Sequence, residues 1–357
     1  MTQKSALFTP GVIGARTIKN RLVVAPMCQY RAQEGFVQTW HKVHYGKLAG
    51  SGAGTVCIEA TAVSARGRST PFDLGLWDRE HARSMAELVS IMRQIDPTVC
   101  IKIQLFDAGR KASCSHREKR TLLADEGGWP IYAPSAKSYG EGLARPEPMT
   151  IEQIQDSIAA FAQAAAFAEQ AGVDAIELHA SHGFLVHQFF SSLSNERTDA
   201  WGGSLENRCR FACEVFRAMK KAAPSVIMGA RISAEDWVKG GSGLQEAQYL
   251  GLALKRLGAD YLDVTSGGLV SEQRIPVRYG YQLPASRALR QACALPTLTA
   301  GLIVRPEQAE SALVQGDADF INVGRAFLMD PHWGWRAALL LGETLEWPEP
   351  YRRGMRL

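Results

Sequence analysis

The sequence predicts an α/β protein built as one (βα)8 TIM barrel, and three observations carry that prediction. Eight short apolar runs rich in β-branched residues recur along the 357 residues, separated by stretches of helical period. One of these runs, ending at His179, alternates Ala175, Glu177 and His179 with Ile176 and Leu178, so polar groups face one side and apolar groups the other. Long connections follow strands and short ones follow helices, which is how a barrel enzyme distributes its loops.

Taken in order, residues 12–20 hold two short β-prone pieces around Gly14, a hairpin placed to plug the amino end of the barrel. The barrel strands are expected over 21–27, 55–60, 99–105, 173–179, 226–232, 261–265, 297–300 and 320–323, with a first helix over 39–49. Thr150 with Gln153 forms a capping box, and Ile151, Ile154, Ile158, Phe161, Ala165 and Ala168 recur at helical spacing until Gly172. That stripe is expected to pack on the sheet.

Residues 106–149 separate the third strand from this helix and are rich in Gly, Pro and charge, the pattern of a capping loop over the barrel mouth. Loops 233–243 and 266–284 are expected to share that mouth, whereas the helix-to-strand link 258–260 is short. Residues 344–357 form a C-terminal tail, and the chain reads as a single domain over 1–357.

The carboxyl ends of the strands carry Cys28, Ala60 with Thr61, Gln104, His179 with His182, Arg231, Ser266-Gly267-Gly268, Ala300-Gly301 and Gly324-Arg325. Amide, guanidinium, thiol and bare backbone suit a large planar ligand with a phosphate tail. Gly301 and Gly324 follow the last two strands, where barrels commonly bind phosphate, and Arg325 adds a charge able to make bidentate contact. His179 and His182 also allow a metal site, although zinc needs a third ligand and no matching cluster lies nearby in the sequence.

Composition narrows the class. A net charge of +4 without a long basic run points to neither nucleic acid nor an anionic membrane. No apolar segment spans a bilayer, no signal core opens the chain, and seven cysteines are scattered without a Cys-x-x-Cys pair. A soluble, cytoplasmic protein with reduced thiols and no metal cluster is expected.

The segment HASHGFLVHQFFSSLSNERTDAWGGSLENRCRF, with NRLVVAPMCQY, EATAV, AGRKAS and NVGRAFLMDPHW, resembles the Old Yellow Enzyme family of FMN-dependent ene-reductases, and Pro26-Met27-Cys28-Gln29-Tyr30 is similar to its thermophilic-like subgroup. The resemblance implies bound FMN, reduction by NAD(P)H and reduction of an activated alkene such as an enone or nitroalkene. His179 and His182 would hydrogen-bond the substrate carbonyl, with Cys28 and Tyr30 beside the flavin and the substrate. Pro26, Met27, Cys28, Ala60, Gln104, Arg231, Gly267, Ala300, Gly301, Gly324 and Arg325 would hold the cofactor. The resemblance also implies a homodimer or homotetramer in which Arg353 of the tail reaches a neighbouring site.

Two positions depart from the family pattern. Phe184 stands where a proton-donating tyrosine is usual, and Asp107 where histidine is commoner. The first keeps open a flavin-binding barrel with impaired alkene reduction, with solvent or Tyr30 as the substitute donor. A metal-dependent barrel hydrolase using His179 and His182 is the remaining alternative.

Overall fold

The computed structural model of the protein describes residues 4–116, 118 and 120–356. Eight parallel strands close on themselves: β1 (Leu22–Val24), β2 (Thr55–Ala62), β3 (Cys100–Phe106), β4 (Ala175–Ala180), β5 (Ile227–Ser233), β6 (Tyr261–Thr265), β7 (Thr297–Thr299) and β8 (Phe320–Val323). Each pairs with its neighbours in sequence. The ring is completed by β8 against β1 and by the pairing of Val23 with Thr55 between β1 and β2.

Strands β6 and β8 fall where the sequence places them, and the others shift at their ends by one to three residues. The first is the most shortened. Ala25 still donates to Val323 O, but Pro26 has no N–H to continue the ladder, so the chain leaves the sheet there. A short strand, Leu74–Gly75, adds to the carboxyl end of β2 and was not expected.

Alternation sorts the side chains as the sequence requires. Ile176 and Leu178 of β4 face outward into the main apolar core, against helices that include α1 (Thr39–Ala49), α2 (Arg79–Ile95) and α3 (Ile151–Gln170). Ile13 and Ile18, from the hairpin strands Gly11–Ile13 and Arg16–Ile18, close the amino end against Val23, Tyr261 and Phe320. Thr150 and Gln153 cap α3 reciprocally. The expected stripe is narrower than its spacing suggests, because Ile151 is exposed in the first turn and Ile158 is only half-buried.

The pairing of β2 with β3 contains a bulge at Glu59. Cys57 faces Lys102 and Ile58 faces Ile103, but Ala60, not Glu59, then pairs with Gln104. One extra residue shifts the alternation by one, so Ala60 takes the inward place and the Glu59 carboxylate is carried to Tyr45 of α1.

The interior between plug and mouth is polar. Lys102 pairs with Glu177, and its Nζ lies 3.6 Å from Asp263 Oδ2. Gln104 Nε2 donates to Glu177 Oε1 at 2.7 Å, Tyr261 OH donates to Glu177 Oε2 at 3.4 Å, and Asn322 Nδ2 donates to Asp263 Oδ2 at 2.8 Å. Burial alone would neutralise Lys102, but Glu177, Cys57 and Asp263 hold its ammonium above the usual range. Burial likewise opposes the charge on Asp263, and Arg231 and Lys102 outweigh it to keep the carboxylate ionised.

Removing one partner of a buried ion cluster leaves the other charges uncompensated, at a cost of about 3–5 kcal/mol. Lys102→Met is therefore expected to lower stability by about that amount in urea unfolding, and an unchanged midpoint and slope would show that the cluster carries none of the fold's stability.

Candidate active site

At the carboxyl ends of the strands, His179 lies on β4 and His182 lies in the turn beyond it, with φ +55°. The ring centroids are 5.2 Å apart and the planes nearly perpendicular, at 87°. His179 Nδ1 lies 2.9 Å from Ser181 Oγ, and His182 Nε2 lies 2.9 Å from Thr265 Oγ1. Among the described residues, the other nitrogen of each ring has no partner. Burial, and then the neighbouring His182 and Arg231, push His179 well below the usual imidazole range, and burial and Arg231 do the same to His182. Both rings are neutral, and each has one nitrogen left for a ligand.

The turn that presents them is held from several sides. Gly183 N–H donates to His187 Nδ1 at 3.0 Å, which turns His187 Nε2 toward Asp236 Oδ1, 3.0 Å away and buried with it. A Cβ on Gly183 would lie 2.2 Å from Gly268 O, and one on Gly268 would lie 2.4 Å from His182 Cα. Two backbones therefore meet where side chains would separate them. Lys111 ties the same loops together, donating to His182 O at 2.7 Å and also to Gly268 O.

A cavity of about 280 Å³ opens beside His182. Pro26, Met27, Arg231, Ala300, Gly301, Gly324 and Arg325 line it, together with Thr265, Tyr281, Gln282 and Asn322. Three buried polar atoms on this lining have no hydrogen-bond partner among the described residues: Arg231 Nε, Asn322 Oδ1 and Gln282 Oε1. Buried polar groups are ordinarily satisfied, so three orphans around one cavity mark a site shaped for a polar ligand. Donors and acceptors above a cationic floor suit the edge of a flavin, and Gly301, Gly324 and Arg325 line the same cavity, where its phosphate would be held. The residues present fit FMN.

The remaining expected site residues are placed differently. Ala60 and Cys28 pack with Ala62, Phe106 and Phe184 in a small apolar cluster beside His179. Gln104 sits below them, with its amide nitrogen taken by Glu177. Tyr30 lines a second cleft of about 880 Å³, with its ring tilted against His116 at 4.4 Å between centroids. Gly267 is not at the cavity: its N–H donates to Glu235 O, its carbonyl accepts from Ser233, and its α-carbon faces Ile275.

The tail packs around Trp335, with Trp347 at 4.6 Å and Tyr351 at 5.4 Å, next to Asn20 and Gly52 at the amino end of the barrel. Arg353 is thus exposed and remote from its own chain's mouth. The capping connection begins at Asp107, since Phe106 still belongs to β3. Arg110 anchors it, donating to Leu269 O at 2.6 Å and to Lys137 O and Ser138 O.

Sequence reasoning missed Asn322, Asp263 and Lys102. Their signal was a polar residue at an alternate position of an otherwise apolar strand, the same signal that identified Glu177. Lys111 falls within the connection expected over the mouth, but no periodic pattern there reveals that its ammonium joins the loops after β4 and β6. Among the described residues, no three His, Cys, Asp or Glu side chains converge as metal ligands, and none of the helices is long and apolar enough to cross a membrane.

A closed barrel with paired neutral imidazoles, an arginine on the floor and a glycine-edged cavity has the shape and polarity to seat a flavin. The profile of the NADH:flavin oxidoreductase / NADH oxidase family matches residues 6–341. The chain belongs to that family, the Old Yellow Enzyme family, whose members use FMN and a nicotinamide coenzyme. It is 38% identical over 354 residues to an NADPH dehydrogenase of Geobacillus thermodenitrificans (strain NG80-2), covering 99% of each chain. It is 39% identical over 352 residues to an NADPH dehydrogenase of Bacillus subtilis (strain 168), covering 98% of each. Among solved structures, morphinone reductase superposes with a TM-score of 0.79 at 25% identity, over 98% of this chain and 93% of that one. Family membership sets the hydrolase alternative aside.

Glu59, displaced by the bulge, accepts from Gln29 N–H at 2.7 Å beneath the Cys28 to Tyr30 segment. Burial pushes its carboxyl up to about 8, against the pull of the Gln29 N–H and the Tyr45 hydroxyl. In the unfolded chain it ionises near the ordinary value of about 4.3. Between the two values the folded protein keeps a proton that the unfolded chain has lost, so this group lowers stability as pH rises, by at most ~1.4 kcal/mol per pH unit. The loss levels off above about 8. Glu59→Gln is expected to flatten that slope in urea unfolding across the window, and parallel pH curves for the two proteins would exclude the assignment.

Proposed function

We propose that the protein reduces the activated C=C bond of α,β-unsaturated carbonyl or nitro compounds, using FMN and NAD(P)H. One observation carries the reading. Two neutral imidazoles, each with one free nitrogen, converge at right angles beside a cavity lined by Arg231, Gly301, Gly324 and Arg325. Such a pair suits an oxygen that gains negative charge during reaction more than it suits a metal or a phosphate.

When bound, FMN takes hydride from the coenzyme and supplies it to the substrate. Pro26, Met27, Ala300, Gly301, Gly324 and Arg325 would hold it, with Arg231 as a cation at its pyrimidine edge, and Ala60, Gln104 and Cys28 on the His179 side. The free nitrogens of His179 and His182 then donate to the substrate's carbonyl or nitro oxygen. Donors fixed where charge develops lower the barrier by about 3 kcal/mol each. Cys28, Phe184 and Tyr30 border the space left for the rest of the substrate.

The names of the curated relatives favour NADPH as the reductant. The reading takes the whole chain as one FMN-binding unit. It extends to a homodimer or homotetramer in which Arg353 serves a neighbouring protomer, a view supported by a tail that packs away from its own mouth.

The His179→Ala, His182→Ala double variant is expected to bind FMN and to be reduced by coenzyme, yet to transfer hydride to 2-cyclohexenone at least about 100-fold more slowly than the parent. Anaerobic stopped-flow measures both half-reactions separately. Enone reduction at the parent rate would end the proposal.

A further inference from the structure

Hydride addition to the β-carbon of an enone leaves negative charge on the carbonyl oxygen, and the product forms only when the α-carbon gains a proton. The α-carbon lies two bonds from that oxygen, so the donor must stand close to the imidazole pair. Neither imidazole serves, since both are engaged at the oxygen, and Phe184, 4.8 Å from His179, has no proton to give.

We propose that the Lys111 ammonium delivers this proton. Its Nζ is bonded to the backbone oxygen of His182 itself at 2.7 Å and to Gly268 O, and it lies 5.6 Å from the centre of the Phe184 ring and 4.1 Å from that of Tyr139. An ammonium has three N–H bonds, and the two carbonyls use two of them. The third has no hydrogen-bond partner among the described residues and lies beside the Tyr139 and Phe184 rings. Lys111 and His179 thus approach the same phenylalanine ring, the ammonium at 5.6 Å and the imidazole at 4.8 Å from its centre.

The other donors at the mouth fit less well. Tyr30 lines the larger cleft with its ring tilted against His116, and nearby Cys28, then burial, hold its phenol above the usual range. Burial, then Glu59, does the same to the Cys28 thiol. Tyr139 lies under the ammonium with its ring and is also raised, chiefly by burial. Burial, with Arg110, brings Lys111 down to about 7, an acid matched to neutral solution. The titratable groups facing it are Arg110, Cys114 and Tyr139 from its own connection, His179 at the end of β4 and His182 from the loop after it, while the loop after β6 contributes the Gly268 carbonyl.

The step balances. The Nζ–H bond breaks as the α-carbon–H bond forms, the electron pair comes from the enolate-like substrate, and the neutral amine regains its proton from water.

This inference rests on the alkene-reductase reading. The test uses FMN-loaded protein, reduced anaerobically by NADPH and mixed with 2-cyclohexenone, with flavin reoxidation followed by stopped-flow. The parent rate is expected to fall as pH rises through about 7. Lys111→Met should retain FMN, lose at least about 100-fold in reoxidation and lose the pH dependence. Phe184→Tyr in the Lys111→Met background should recover part of the rate by restoring a hydroxyl beside His179. Two results overturn the assignment: Lys111→Met reoxidised at the parent rate, or a slowed Lys111→Met whose pH dependence is that of the parent, which leaves the lysine only as a clamp between loops. A parent whose reduced flavin is not reoxidised by the enone at all would instead remove the reading beneath it.

Discussion

The structure depends on a buried cluster of opposite charges inside the barrel. Lys102, Glu177, Asp263 and Arg231 come from four different strands and share one water-poor interior. Ions there persist only if each has a partner, so the strands must keep the register that brings them together. The cluster ends upward at Arg231, whose Nε lies 3.7 Å from Asp263 Oδ1 and is not aligned to bond it. Asp263 neutralises the guanidinium from below, and Arg231 lines the cavity above. A stability constraint and a ligand-binding surface are here the same set of residues.

Above this floor, the mouth is built by close backbone approach. The glycines at 183 and 268 let the loops after β4 and β6 touch, and Lys111 bonds to both. His187 and Asp236 hold the same turn from beneath. His182, at positive φ, is set by these contacts together. Burial keeps both imidazoles neutral, so they act as hydrogen-bond donors and not as fixed charges, and the positive charge of the site is concentrated at Arg231 and at the lysine.

Much of this was legible in the sequence because it is periodic. Alternation along residues 173–179 separated Glu177 and His179 from Ile176 and Leu178, and the structure keeps that division. The same alternation placed Arg231 at a strand end. What stayed hidden breaks the period or has none. The bulge at Glu59 moves a carboxylate from the interior to α1 while leaving the residue types unchanged. Lys111 lies in an irregular connection whose path is set by Arg110 reaching carbonyls far away in sequence. The family resemblance implied a cofactor contact at Gly267, but the loop turns its α-carbon toward Ile275. Ile151 fits the helical stripe by spacing, yet its first-turn position leaves it in solvent.

The central claim is that the Arg231 charge, held by Asp263, faces the flavin. The most direct measurement is the midpoint potential of bound FMN in the parent and in Arg231→Met, by anaerobic redox titration. The account predicts a more negative potential in the variant, because the reduced, anionic flavin loses its neighbouring cation. An unchanged potential in a variant that still binds FMN would contradict it.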